Sequence, residues 1–126
     1  ITICDQTKVC ELKNGKIDAY YINPEDFGFK LRPLSEITGN SAQENAKIIL
    51  DILNGANGPK RDVVLLNAAA ALLTTGIVKD YRDALELAAY SIDSGSAAKK
   101  LKDLIRFTNK NAGQNNWKQK KGSGNK

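Results

Sequence analysis

Few residue constellations in this chain of 126 residues are equipped for chemistry, and each has a plainer structural reading beside it. There is no histidine. That removes the commonest general base and metal ligand at neutral pH, and with it any Ser–His or Cys–His nucleophile pair. Cys4 and Cys10 are the only cysteines. They lack the Cys-x-x-Cys spacing of a zinc site. The extended chain between them holds them about 20 Å apart, well beyond the ~7 Å Cα separation a disulfide tolerates. Reduced thiols in a cytoplasmic protein are expected.

Gly55-Ala-Asn-Gly58-Pro-Lys60 has the outline of a phosphate loop without its spacing. A P-loop needs four residues between its glycines and a Ser or Thr after the Lys. Pro59 also removes an N–H that would cradle phosphate. A Gly-Pro helix start with Lys60 and Arg61 solvated is the preferred reading, and contact with an anion is the alternative. Asn67 is the one polar residue in the apolar run 63–73, and a buried amide must find partners. A structural tie is preferred to a place in a ligand site. Glu25 and Asp26 suit the positive end of a helical turn better than a metal. Trp117 among Lys118, Lys120 and Lys121 has the aromatic-plus-basic look of single-strand binders, but one aromatic in a polar tail is weak support.

These residues need elements to hold them. At 41% hydrophobic and 26% charged, the chain has the composition of one modest soluble domain. No apolar stretch approaches the ~18 residues of a membrane span, and no secretory signal is visible. The chain starts at Ile1 and contains no Met, so a truncated or processed product is expected. Five of the 19 basic residues and none of the 14 acids lie from Lys110 onward, which leaves residues 1–109 balanced despite the net charge of +5. Residues 110–126 have a composition that cannot bury enough apolar surface to fold. The expected division is a domain over 1–109 and a basic tail over 110–126.

Two β-type runs flank Asn14-Gly15, a strong signal for a hairpin with a type I′ turn. Its tight register sets Val9 against Tyr20 and Cys10 against Ala19. It also sets Glu11 against Asp18, which is mildly unfavourable. Apolar residues on both faces suggest a ribbon from a larger, covered sheet. Asn23 and Gly28 bracket one helical turn started by Pro24.

Four helices should follow. Ser41 and Glu44 form a capping box before a helix whose inward stripe is Ala46, Ile49, Leu50 and Leu53, widened by Ile48 and Ile52. Pro59 starts the next, the most buried, and Gly76 ends it. Asp80 caps a third, with Ala84, Leu85, Ala88, Ala89 and Ile92 inward. Ser96 caps a last helix carrying Ala97, Leu101, Leu104, Ile105 and Thr108, with the tail beginning near Asn109. A lone ribbon beside four helices is an odd set for an independent domain.

The motifs then form a pattern. Thr7-Lys-Val-Cys-Glu-Leu-Lys-Asn-Gly15, Ile22-Asn-Pro-Glu-Asp-Phe-Gly28, Asn40-Ser-Ala-Gln-Glu-Asn-Ala46, Arg61-Asp-Val-Val-Leu-Leu-Asn67-Ala-Ala-Ala-Ala71 and Ala89-Tyr-Ser-Ile-Asp-Ser-Gly95 occur in the order and spacing of one family. Over about residues 1–108 the chain resembles the C-terminal portion of anthranilate phosphoribosyltransferases.

The resemblance implies a parent with an α/β catalytic domain of the nucleoside phosphorylase/phosphoribosyltransferase type and a smaller helical domain, as a homodimer. It implies Mg²⁺-assisted transfer of phosphoribose from phosphoribosyl pyrophosphate to anthranilate in tryptophan biosynthesis. The family's Gly-Thr-Gly-Gly-Asp loop and Lys-His-Gly-Asn segment have no counterpart here. Its metal-binding Asp-Glu pair would fall just before Ile1, so the Mg²⁺ ligands are expected upstream. Cys4-Asp5-Gln6 replaces the family's Thr-Gly-Pro. No catalytic, substrate-binding or metal residue is carried onto this chain, and Thr2 is the nearest candidate. The expected partner is the remainder of the same enzyme, not a membrane or nucleic acid. The rivals are a nucleic-acid-binding relative that uses the basic tail and a nucleoside phosphorylase of the same superfamily.

Overall fold

The computed structural model describes residues 1–112. An antiparallel hairpin, β1 (Thr7–Lys13) and β2 (Lys16–Ile22), leads through 3₁₀ turns at Pro24–Phe27 and Leu34–Glu36 into four helices. These are α1 (Ala42–Leu53), α2 (Pro59–Thr75), α3 (Tyr81–Asp93) and α4 (Ser96–Ala112). A ribbon plus four helices is the inventory expected from the sequence. Residues 113–126, with Trp117 and most of the basic tail, lie outside the described residues.

The hairpin has the expected register, with Val9 opposite Tyr20, Cys10 opposite Ala19 and Glu11 opposite Asp18. Asn14 and Gly15 both take positive φ, at 52° and 76°, which is what a type I′ turn requires. The unfavourable acid pair is eased because the Tyr20 hydroxyl donates to Glu11 Oε2 at 3.3 Å. On the Val9 face, Ile22 is buried. On the opposite face, Leu12, Ile17 and Tyr21 stay exposed. Among the described residues no further strand pairs with either edge.

Local signals set the helix ends. Asn23 Oδ1 accepts from Glu25 N, and Gly28 closes that turn at φ 82°. The Ser41–Glu44 capping box is complete, each side chain bonded to the other's backbone N–H; such a cap contributes about 1 kcal/mol. Asp80 caps α3 by accepting from Asp83 N.

The core is helical. Leu66, Ala69 and Ala84 are fully enclosed, and Ile52, Leu65, Ala88 and Ile92 form one cluster with Phe29, Ile48, Leu72, Leu85 and Ala97 packed against it. α2 is the most buried helix, as expected.

Three expectations need correction. The inward face of α1 is Ile48 and Ile52, whereas Ile49 and Leu50 are half exposed. The periodicity showed apolar residues around most of the helix, and only the position of α2 and α3 chooses among them. α4 continues through Asn109 to Ala112, because neither Asn nor Lys breaks a helix and no Gly or Pro intervenes before residue 113. Its Ser96 lies inside the helix, not before it. Leu104 and Ile105 of α4 are half exposed or more.

Candidate functional site

The nearest thing to a site is where the chain's first residues meet α2. The helix carries Asn67 on its outer side, so the amide is exposed, not buried as the apolar run implied. It is nevertheless fully engaged. Asn67 Oδ1 accepts from the Ile1 amino group at 2.9 Å. Its Nδ2 donates to the Ile1 carbonyl at 2.6 Å and to the Val63 carbonyl at 2.8 Å. One side chain thus grips both backbone groups of Ile1, and the structural reading of Asn67 is the one the geometry favours. It joins the helix to the N-terminal segment, not to another helix.

Ile3 is completely buried, and its carbonyl accepts from Arg32 N at 3.0 Å. Thr2 supports a turn: its hydroxyl accepts from Cys4 N at 3.0 Å, and its own N–H donates to Thr7 Oγ1 at 3.3 Å. Asp5 Oδ1 accepts from Gln6 N at 2.7 Å. Cys4-Asp5-Gln6 therefore forms an ordered bend built from local side-chain bonds.

The start of α2 has structural uses for its basic residues. Lys60 Nζ donates to the Thr38 carbonyl. Arg61, expected to be solvated, is 7% exposed, and its Nη2 donates to both carboxylate oxygens of Asp93 at 2.8 and 3.0 Å. This ion pair locks the first turn of α2 to the end of α3. Its Nη1 is buried without a partner. No sequence signal pointed to the pairing of Arg61 with Asp93, because that acid lies 32 residues away. The adjoining cavity of about 290 Å³ has Glu36 and Asp51 in its wall along with Lys60 and Arg61, so acids offset the bases and no anion cradle results.

The tyrosines form the second cluster. Tyr81 stacks on Phe27 with ring centroids 5.0 Å apart, and faces Tyr20 across the gap between α3 and the hairpin. Burial first, then the neighbouring Tyr20 and Glu11 charges, push the Tyr81 phenol up to about 12. Burial and Glu11 raise Tyr20 as well. Tyr81 at the start of α3 thus lies within electrostatic reach of Tyr20 and Glu11 on the ribbon.

Glu25 and Asp26 are exposed and serve the 3₁₀ turn. Cys4 and Cys10 are both free thiols. Among the described residues, no group of three or more His, Cys, Asp or Glu side chains could hold a metal ion. No described helix is long and apolar enough to cross a membrane.

Residues 1–98 match the family model described as "Glycosyl transferase family, a/b domain". The chain belongs to this family. It is 46% identical over 109 residues to the anthranilate phosphoribosyltransferase of Methanobrevibacter smithii, covering 86% of this chain and 32% of that protein. It is 47% identical over 104 residues to the enzyme of that name from Clostridium beijerinckii, covering 82% and 31%. The glycosyl transferase fold is also the one seen in solved structures. Anthranilate phosphoribosyltransferase from Saccharomyces cerevisiae, in complex with 4-fluoroanthranilate, superposes with a TM-score of 0.75 at 25% identity, over 83% of this chain and 31% of that one. The enzyme from Thermus thermophilus gives 0.73 at 30% identity, over 82% and 31%. The chain spans about a third of the length of the curated relatives it matches.

Proposed function

We propose that this chain is the C-terminal part of an anthranilate phosphoribosyltransferase and that its own contribution is structural. The observation that carries the reading is the 46% identity over 109 residues to a family member of that name, confined to about a third of its length. The reaction transfers phosphoribose from phosphoribosyl pyrophosphate to the amine of anthranilate, a step of tryptophan biosynthesis, in a cytoplasmic homodimer.

Release of pyrophosphate from a highly charged donor calls for a metal ion and an array of backbone amides to hold the phosphates. Mg²⁺ would neutralise that developing charge, with its ligands in the remainder of the enzyme. This chain's residues do something else. α2 and α3 make a rigid platform through their shared core and the Arg61–Asp93 pair. Asn67 on that platform fixes the backbone of Ile1, and by the family resemblance the metal-binding Asp-Glu pair adjoins that point. Asn67 would then be a positioning residue for groups it does not touch.

Calorimetry of the 126-residue chain with phosphoribosyl pyrophosphate and Mg²⁺ at near-physiological salt tests the assignment. Only weak, screened attraction to lysines is expected. Micromolar binding, or phosphoribosyl transfer by this chain alone, would show that the donor site lies here and sink the reading.

A further inference from the structure

The chain holds three Asn-Gly pairs, at residues 14–15, 54–55 and 57–58. Each pair carries the groups for one reaction. The glycine nitrogen, once deprotonated, attacks the side-chain carbonyl carbon of the asparagine. The new N–C bond closes a succinimide ring, and the side-chain nitrogen leaves as ammonia. Water then opens the ring to aspartate or to isoaspartate, in which the main chain runs through the former side chain. Glycine favours the attack because no Cβ shields its nitrogen. The asparagine must still rotate about its Cα–C bond until that nitrogen meets the side-chain carbon, so the fold selects which pair reacts.

Two of the pairs are held away from that geometry. Asn14 is left-handed, at φ 52°, a conformation that sets the next nitrogen opposite the side chain across the Cα–C bond. Rotating it would break the turn closed by Lys13 and Lys16. Asn54 ends α1 with ψ at 9°, again with its side chain nearly opposite the following nitrogen. Its own N–H donates to the Leu50 carbonyl at 2.9 Å, and the nucleophile, Gly55 N, donates to the Ile52 carbonyl at 3.0 Å. Asn57 differs on each count. It is exposed and lies in no helix, strand or turn. Among the described residues, neither its N–H nor that of Gly58 donates to any backbone acceptor. The last bonded amide before it is Ala56 N, to the Asp51 carbonyl at 2.9 Å, and α2 begins only at Pro59.

We propose that Asn57 is a site of spontaneous deamidation and that its conversion to isoaspartate loosens the start of α2. Conversion places a carboxylate just ahead of Pro59, at the positive end of a helix whose Gly58 supplies no side-chain cap. That charge is favourable there. Isoaspartate also adds a methylene to the main chain immediately before Gly58. The Gly58 carbonyl accepts from Arg61 N and Asp62 N at 2.9 and 3.0 Å, so the added length displaces the group that closes the first turn. Gly58 already stands at φ 124°, a backbone region that side chains rarely adopt. The fixed φ of Pro59 follows it, which leaves the segment little freedom to absorb the change.

The test is to age the 126-residue chain at mildly alkaline pH, below its melting temperature, and to locate aspartate and isoaspartate by peptide mapping. The same chain in concentrated urea is the reference, in which the three pairs should convert at similar rates. In the folded chain Asn57 should keep its urea rate to within about threefold. Asn14 and Asn54 should slow by about tenfold or more, because they react only when the turn or the helix end opens. Slowing of Asn57 to match the other two, or conversion at either of them as fast as at Asn57, overturns the assignment. Asn57→Gln, which would have to close a larger ring, should suppress the charge change of the aged chain. A change that persists in this variant places the reaction elsewhere. The effect on α2 is read by hydrogen exchange at the Arg61 and Asp62 amides. Exchange should quicken in the purified isoaspartate form and not in Asn57→Asp, which carries the charge without the longer main chain. Equal exchange in these two chains overturns the claim that isoaspartate loosens the helix start.

Discussion

The helical half and the ribbon treat their apolar residues in opposite ways. Leu66 on α2 is fully enclosed, while Leu12 and Ile17 on the ribbon are 72% and 73% exposed. Burying a leucine contributes about 1.5–3 kcal/mol, so the helices carry the stability and the ribbon's outer face adds little. The same division runs through single helices. Ile52 of α1 is in the core and Ile49 one turn away is not. Leu12, Ile17 and Tyr21, exposed together on one face of the ribbon, make the kind of apolar surface that a covering layer would bury. That agrees with relatives about three times as long as the shared stretch.

The sharpest way to break this contrast is to place the same charge in both halves. Leu66→Asp puts an unpaired carboxylate into the closed core, which costs several kcal/mol against a total of about 5–15. Loss of the cooperative thermal transition is expected. Leu12→Asp should change stability by no more than about 0.5 kcal/mol. Equal melting curves for the two variants would show that the helical core is not where the stability resides.

A second probe removes an ion-pair partner inside the helical half. Asp93→Ala leaves the buried Arg61 guanidinium without its acceptor. Asp93 is itself more than half exposed, so the cost should fall short of a fully buried pair, at about 2 kcal/mol. Adding Arg61→Met to that variant should recover part of the loss, because the orphaned charge is gone. A double variant no more stable than Asp93→Ala would mean that the pair does not join α2 to α3.

The contrast also explains what could be read without coordinates. The hairpin register was legible because Asn14-Gly15 admits one turn geometry, which fixes every pairing behind it. Capping at Ser41, Glu44 and Asp80 was legible because it is decided within four residues. The inward face of α1 was not, since Ile48, Ile49, Leu50 and Ile52 offer several apolar faces and only distant helices choose. Arg61 was missed for the same reason, because nothing local marks it for burial against Asp93. Asn67 was half legible. Its need for partners followed from residue type, but its partner, the backbone of Ile1, lies 66 residues away.

A smaller effect is expected where the N-terminal segment meets α2. Asn67→Ala removes the two bonds to Ile1 but leaves the helix its best-tolerated residue. A loss of about 1 kcal/mol is expected, with faster amide exchange confined to residues 1–6. Loss of protection across α2 as well would show that Asn67 holds the helix itself.

The smallest effect at neutral pH is expected at the seam between the two halves. Tyr81 keeps its proton to about 12, chiefly because it is buried and then because Tyr20 and Glu11 lie near, whereas a tyrosine in an unfolded chain ionises near pH 10. With the folded value above the unfolded one, the contribution is complete below about pH 10 and is lost as pH rises through about 12. Tyr81, among the four tyrosines, should therefore show a late phenolate absorbance change. Tyr81→Phe keeps the ring against Phe27 and removes the ionisable group. It should melt nearly as the parent at pH 7 and lose less stability than the parent between pH 10 and 12. If both chains lose stability equally over that interval, the alkaline sensitivity arises elsewhere, and the tyrosines do not tie the ribbon to the helices.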